Sequence, residues 1–282
     1  MPLNLPTFYK RTASAIVFAA IMLAGLLWND MAFLVLISLI NVLCLRDYFR
    51  LMQKIDQESF WPKWLPVAVI VVSILLILFF AGMGGVTYIA EFLDYTGGAF
   101  AVLFPVLFIL FFLLTAIPDK SSIAALMQSA GGLFYITLPM CLLFMMEMRD
   151  FILPIAVILM MWTNDTMAYL VGAFIGKHPF SPISPKKTWE GTIGGIVLTI
   201  AGAGFYAYFA HSSYRITDWM LLTTLATVAG TLGDLLESKL KRIADVKDSG
   251  TMMPGHGGAL DRFDSLLVAV PFAYVYTTFF MR

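Results

Sequence analysis

Charge is scarce in this sequence. Only 13% of its 282 residues are charged and 60% are hydrophobic, with a mean hydropathy of +0.85. A soluble domain carries about 25% charged residues, so a water-exposed globular surface is excluded. Net charge is zero, which removes any bulk attraction to nucleic acid, and no nucleic-acid partner is expected. Cysteine is nearly missing: Cys44 and Cys141 both lie in apolar runs, so no disulfide framework is implied. Histidine is almost as rare. His178, His211 and His256 are far apart, and there is neither a paired Cys nor an HExxH spacing to hold zinc. Long polar segments are missing too, leaving no room for a soluble catalytic domain.

What fills the chain is apolar runs. Nine candidate spans are read at about 13–29, 31–52, 64–83, 97–117, 124–147, 151–176, 188–211, 217–243 and 260–280. About 20 apolar residues cross a bilayer as a helix. Strand-like alternation is missing, so helices are the remaining way to satisfy the backbone in lipid. The expected fold is therefore all-α: a polytopic membrane bundle of about nine transmembrane helices. The first run follows Lys10-Arg11 as a signal peptide would, but no small-residue cleavage site follows, so it reads as a retained helix. With the N-terminus cytoplasmic, every Lys and Arg except Arg149, Arg215 and Arg282 falls on the cytoplasmic side. Gly82–Gly85 and His178–Pro185 read as loops.

The few ionisable residues within spans mark function, because they are costly in lipid. They fall in the C-terminal half, while the first five spans hold almost nothing comparable. The expected organisation is an N-terminal scaffold, 1–123, and a catalytic region, 124–282, with its site on the cytoplasmic side. Asn164 and Asp165 lie in the sixth span and Glu190 opens the seventh. Asp234, Glu237, Ser238 and Lys241 form one stripe of the eighth, at i, i+3, i+4 and i+7. Asp261 and Asp264 share a face of the ninth. If the 245–259 loop is a tight return, these acids meet and suit Mg²⁺, which binds one or two carboxylates and shares substrate phosphate. The alternative is simple pairing of the acids with Lys241 and Arg262. Ser184-Pro-Lys186-Lys187-Thr188-Trp-Glu190-Gly191 puts two lysines and a hydroxyl at a helix start, a place that attracts phosphate; an ordinary positive-inside loop accounts for the lysines alone. His256 sits among Gly255, Gly257 and Gly258, where backbone approaches closely. Gly191-Thr-Ile-Gly194-Gly195 suits a close helix crossing.

The run from Ser238 to Asp264 resembles the signature of the phosphatidate cytidylyltransferase family, the CDP-diacylglycerol synthases. The match is carried by Ser238, Lys241, Arg242, Lys247, Asp248, Gly250, Pro254, His256, Gly257, Gly258, Asp261, Arg262 and Asp264. Upstream, Asn164-Asp165, Ala168-Tyr169, Gly172 and the Ser184–Gly191 run also look like the family, although Ala173 stands where many members carry a basic residue. The resemblance implies transfer of a cytidylyl group from CTP to phosphatidic acid, giving CDP-diacylglycerol and pyrophosphate. It implies Mg²⁺ dependence with a monovalent cation such as K⁺ nearby, and a bacterial inner-membrane setting. By the same resemblance Asp234 and Asp261 hold the metal with Asp264 in support. Lys241, Arg242, Lys247, Asp248, His256 and Arg262 are the remaining catalytic candidates. Asn164, Asp165, Ser184, Lys186, Lys187, Thr188, Glu190, Ser238, Lys239, Gly257 and Gly258 are substrate-binding candidates. Gly-rich helix faces leave a homodimer open. Two other readings remain at this point: a CTP-dependent lipid-alcohol kinase of the dolichol-kinase type, and an ion-coupled transporter.

Overall fold

A computed structural model describes residues 17–56, 62–83, 121–210, 213–252 and 257–281. The expected fourth span, 97–117, and His211 and His256 lie outside the described residues. Within them the helices are α1 (Val17–Leu27), α2 (Asp30–Ile55), α3 (Leu65–Met83), α4 (Ser121–Gly132) and α5 (Leu138–Arg149). They continue with α6 (Ile152–Ile175), α7 (Trp189–Phe209), α8 (Ile216–Ile243) and α9 (Leu260–Phe279). Six helical segments among the described residues are long and apolar enough to cross a membrane. The all-α membrane class is as expected. The full count of nine is not reached: α1 is short, α9 is not among the six, and the fourth span is not described.

The chain divides into two compact units. The first comprises Met1–Arg149 with Ile243–Arg262. Its core is apolar side chains of α2, α3 and α5, including Phe33, Ile37, Leu45, Ile77, Met140 and Phe144. Phe33 and Phe144 stack with ring centroids 6.0 Å apart. Within this core Asn41 Nδ2 donates to Ser73 Oγ at 2.7 Å, joining α2 to α3, while Asn41 Oδ1 has no hydrogen-bond partner. Between α4 and α5 the helix widens into one π turn, Leu133–Thr137.

The second unit comprises Asp150–Arg242 with Phe263–Arg282. Here α6 and α7 cross closely, as the glycine spacing predicts. A Cβ at Gly191 would collide with the Ala168 carbonyl, and one at Gly195 with the Asn164 carbonyl and Ala168. Removing side chains at the crossing lets two backbones approach, a standard device where lipid supplies no hydrophobic drive. The segment between these helices corrects the loop expected at His178–Pro185. It forms an antiparallel hairpin of β1 (Pro179–Ser181) and β2 (Ser184–Thr188), with Pro179 opposite Thr188 and Ser181 opposite Ser184. Gly82, read as loop, is the penultimate residue of α3, while Gly84 and Gly85 are not described. Along α8, Thr223, Thr227 and Thr231 are buried, and each donates its hydroxyl to the carbonyl four residues back.

Candidate active site

The hairpin is anchored at its base. Glu190, in the first turn of α7, accepts from Lys177 N at 3.1 Å and His178 N at 3.2 Å, and its other oxygen pairs with His178 Nδ1. Trp189 N donates to the His178 carbonyl at 3.0 Å, and the Trp189 ring meets Phe180 edge-on. Thr188 caps α7 by accepting from Gly191 N at 3.1 Å. Thr188 and Glu190 are thus engaged first in structure: Thr188 joins the end of β2 to the start of α7, and Glu190 ties the residues before β1 to the same turn. That rigid attachment points Lys186 and Lys187 along one wall of a cavity.

The cavity encloses roughly 380 Å³. Asn164, Asp165, Ala168, Tyr169, Gly172 and Ala173 of α6 form one side; Lys186, Lys187 and Thr188 of β2 form another; Thr192 of α7 and Thr231 and Asp234 of α8 complete it. Lys187 Nζ forms an ion pair with Asp234 Oδ2, and Ser238 Oγ donates to Asp234 Oδ1 at 3.3 Å. Asp264 of α9 lies in the field of three charged side chains: the Asp234 and Asp165 carboxylates repel it and the Lys241 ammonium attracts it. Asn164 is 6% exposed, and its Oδ1 has no hydrogen-bond partner. A buried carbonyl oxygen left this way costs about 1–3 kcal/mol, and here it lies in the lining of a polar cavity.

One turn beyond Asp234 the picture is different. Glu237 is fully buried, and Lys241 Nζ pairs with it across i, i+4. This is the simple-pairing alternative, realised for Glu237. Lys239 and Arg242 are exposed on α8.

The first unit holds the signature loop, and its geometry turns on two carboxylates. Asp261 Oδ2 accepts from Ser249 N and Ser249 Oγ, both at 2.9 Å, and from Gly258 N at 2.6 Å. Gly257 has φ of +84°, a conformation that favours glycine, and a Cβ there would press on the Asp261 carboxylate. The second carboxylate is Asp47 of α2, which sequence reasoning missed. It is 3% exposed, accepts from Ala259 N at 2.6 Å and lies 3.7 Å from Arg50 Nη1. A side chain at Gly250 or Gly258 would run into its oxygens. The first spans therefore do contain a buried acid of consequence, contrary to expectation. Lys247, Asp248 and Arg262 are exposed at the surface of this unit.

Among the described residues, no three His, Cys, Asp or Glu side chains converge as a ready metal-ligand set. The oxygen donors Asp234 and Asp264 nonetheless suit a hard cation that completes its shell with water and substrate phosphate.

Comparison with known proteins gives the arrangement its context. A stretch of 114 residues is 49% identical to the phosphatidate cytidylyltransferase of Bacillus subtilis, covering 40% of this chain and 42% of that protein. The enzyme of the same name from Haemophilus influenzae is 41% identical over 130 residues, 44% of this chain and 45% of its own. That of Staphylococcus aureus is 47% identical over 116 residues, 40% and 44% respectively. The chain spans less than half the length of the curated relatives it matches. The profile of the cytidylyltransferase family, by contrast, matches residues 9–280. A match over almost the entire chain places this protein in the cytidylyltransferase family.

Proposed function

We propose that this protein is a phosphatidate cytidylyltransferase, converting CTP and phosphatidic acid to CDP-diacylglycerol and pyrophosphate at the cytoplasmic face of a bacterial inner membrane. The observation that carries the reading is the 380 Å³ cavity, in which the Lys187–Asp234 pair, Lys186 and the unpartnered Asn164 carbonyl share one wall system built on membrane helices. The same name on three bacterial relatives supports the choice of substrates.

The chemistry follows from charge. A phosphate monoester has a second pKa near ~6, so phosphatidate is largely dianionic at neutral pH and needs no general base. One of its oxygens forms a bond to the α-phosphorus of CTP while the bond from that phosphorus to the bridging oxygen breaks, and the electron pair leaves with pyrophosphate. The obstacle is bringing two anions together, so catalysis is positioning and electrostatic stabilisation. Lys187 is held by Asp234 at the cavity wall, where it meets incoming phosphate; Lys186 adds a second charge from the same strand. Thr188 joins that strand to α7, and Glu190 holds the entry to the hairpin at residues 177–178 against the same turn. Asp234 and Asp264 would hold Mg²⁺, which when bound screens the phosphate charges. We assign Asp261 to holding the signature loop. Lys247, Arg262 and Arg242 belong to the family signature, and we assign them to phosphate as well.

The decisive experiment uses purified protein in detergent with CTP and phosphatidate. Lipid-dependent release of pyrophosphate together with a CDP-lipid is expected. CDP with a newly phosphorylated lipid, or no turnover, would overturn the reading.

A further inference from the structure

The polar cavity ends at Asn164, and a second recess begins at its neighbour Thr163 on the same three helices. It encloses roughly 270 Å³. Leu159 and Met160 of α6, Gly202 and Tyr206 of α7 and Trp219 of α8 contribute to its walls, and none of its lining side chains carries a charge. The Thr199 hydroxyl, which also borders it, is spent on the Gly195 carbonyl at 2.7 Å. Tyr206 and Trp219 meet edge-on, closing one wall with aromatic surface. Gly202 borders it, and a Cβ added there would meet nothing within 4 Å.

We propose that this recess is a binding slot for the distal part of one acyl chain of the lipid substrate. The proposal rests on the phosphatidate reading above. Three observations select this occupant. The slot borders the polar cavity: Thr163 and Asn164 are consecutive on α6, and α6, α7 and α8 contribute to both, so one molecule with a phosphate head and an apolar tail has a place for each. Thr192, in the polar cavity, is ten residues before Gly202, a rise of about 15 Å along α7. A full-length acyl chain spans half of a ~30 Å hydrocarbon core, also about 15 Å. The volume is also telling. It exceeds the about 150 Å³ apolar cavity that takes up benzene, but a packed helix about 10 Å across needs a wider groove. The slot is therefore a ruler: its far part, at Gly202, is reached by a long chain and not by a chain of eight carbons.

The test compares CDP-lipid formation from dioleoyl and dioctanoyl phosphatidate by the full chain. Gly202→Phe places a large side chain at the border of the slot, at a position where a Cβ meets no neighbour. It should lower the dioleoyl-to-dioctanoyl ratio of kcat/KM by about tenfold, the equivalent of losing burial of about two methylene groups. Gly202→Leu should shift the ratio in the same direction. Val197→Phe places the same aromatic side chain at an exposed position of α7 outside the slot, and should leave the ratio as in wild type. A ratio unmoved in both Gly202 variants, or moved equally by Val197→Phe, overturns the slot. Should the Gly202 variants not fold, phosphatidate with a photoreactive group at the chain end decides on the wild-type protein. Labelling of 152–163 or 199–206 is expected, and labelling elsewhere overturns the slot. A wild-type protein that binds and labels there but forms no CDP-lipid would instead overturn the enzymatic reading.

Discussion

Lys187 and Asp234 are both about a quarter exposed, so solvent screens their ion pair and its worth to the fold is below about 1 kcal/mol. Its removal should be read in turnover. Lys187→Met is expected to lower kcat/KM by on the order of 100-fold, the usual cost of one preorganised electrostatic group, with little change in melting temperature. Lys241 should behave in the opposite way. It is the counter-charge of fully buried Glu237, and breaking such a pair from one side costs about 3–5 kcal/mol. Lys241→Met should therefore lower thermal stability steeply, and adding Glu237→Gln should restore much of it. If the double variant regains stability but not turnover, Lys241 serves substrate as well as Glu237. Asp47 is a third kind of residue. Asp47→Ala strands the Ala259 N–H at a cost of about 1–3 kcal/mol. It should expose the 245–260 loop to limited proteolysis before the protein unfolds globally. The stripe Asp234, Glu237, Ser238 and Lys241 was legible because helical period alone places it. Asp47 was not, because its partner lies 212 residues away and its setting, between Arg46 and Arg50, reads as the charged end of a span.

At the scale of elements, lipid makes helices easy to read: an apolar run in a bilayer has few other ways to satisfy its backbone. α2, α3 and α6 to α9 accordingly begin and end within a few residues of the expected limits. The α6–α7 crossing was legible from Gly191, Gly194 and Gly195 for a related reason, since close approach requires small residues. Gly195→Leu tests it. Its side chain would enter the Asn164 and Ala168 backbone, where overpacking costs about 1–3 kcal/mol or more. The expected outcome is a lower melting temperature together with lost activity, because the same crossing forms the cavity wall. The hairpin was hidden because β1 and β2 are three and five residues long and carry prolines, which argue against strands. What holds it is Glu190 reaching back to Lys177 and His178, a contact between residues twelve and thirteen apart that no periodicity announces.

For the whole molecule, the two units divide the signature in a way that linear order conceals. The loop Ile243–Arg262 belongs with the N-terminal helices, while Asp150–Arg242 forms the other unit together with Phe263–Arg282. The N-terminal part is thus more than a passive anchor, since its Asp47 supplies an acceptor to the loop backbone. Sidedness in the membrane is the remaining property at this scale, and the orientation proposed above rests on the excess of basic residues in cytoplasmic loops. The measurement begins with Cys44 and Cys141, both buried, replaced by Ala. Single cysteines are then placed at Lys177, Lys247, Arg149 and Arg215. A membrane-impermeant maleimide applied to intact spheroplasts should label positions 149 and 215 and spare 177 and 247. Inside-out vesicles should give the reverse. Labelling of 177 from outside would put the Lys186–Lys187 strand on the side away from cytoplasmic CTP, and the orientation proposed here would fall with it.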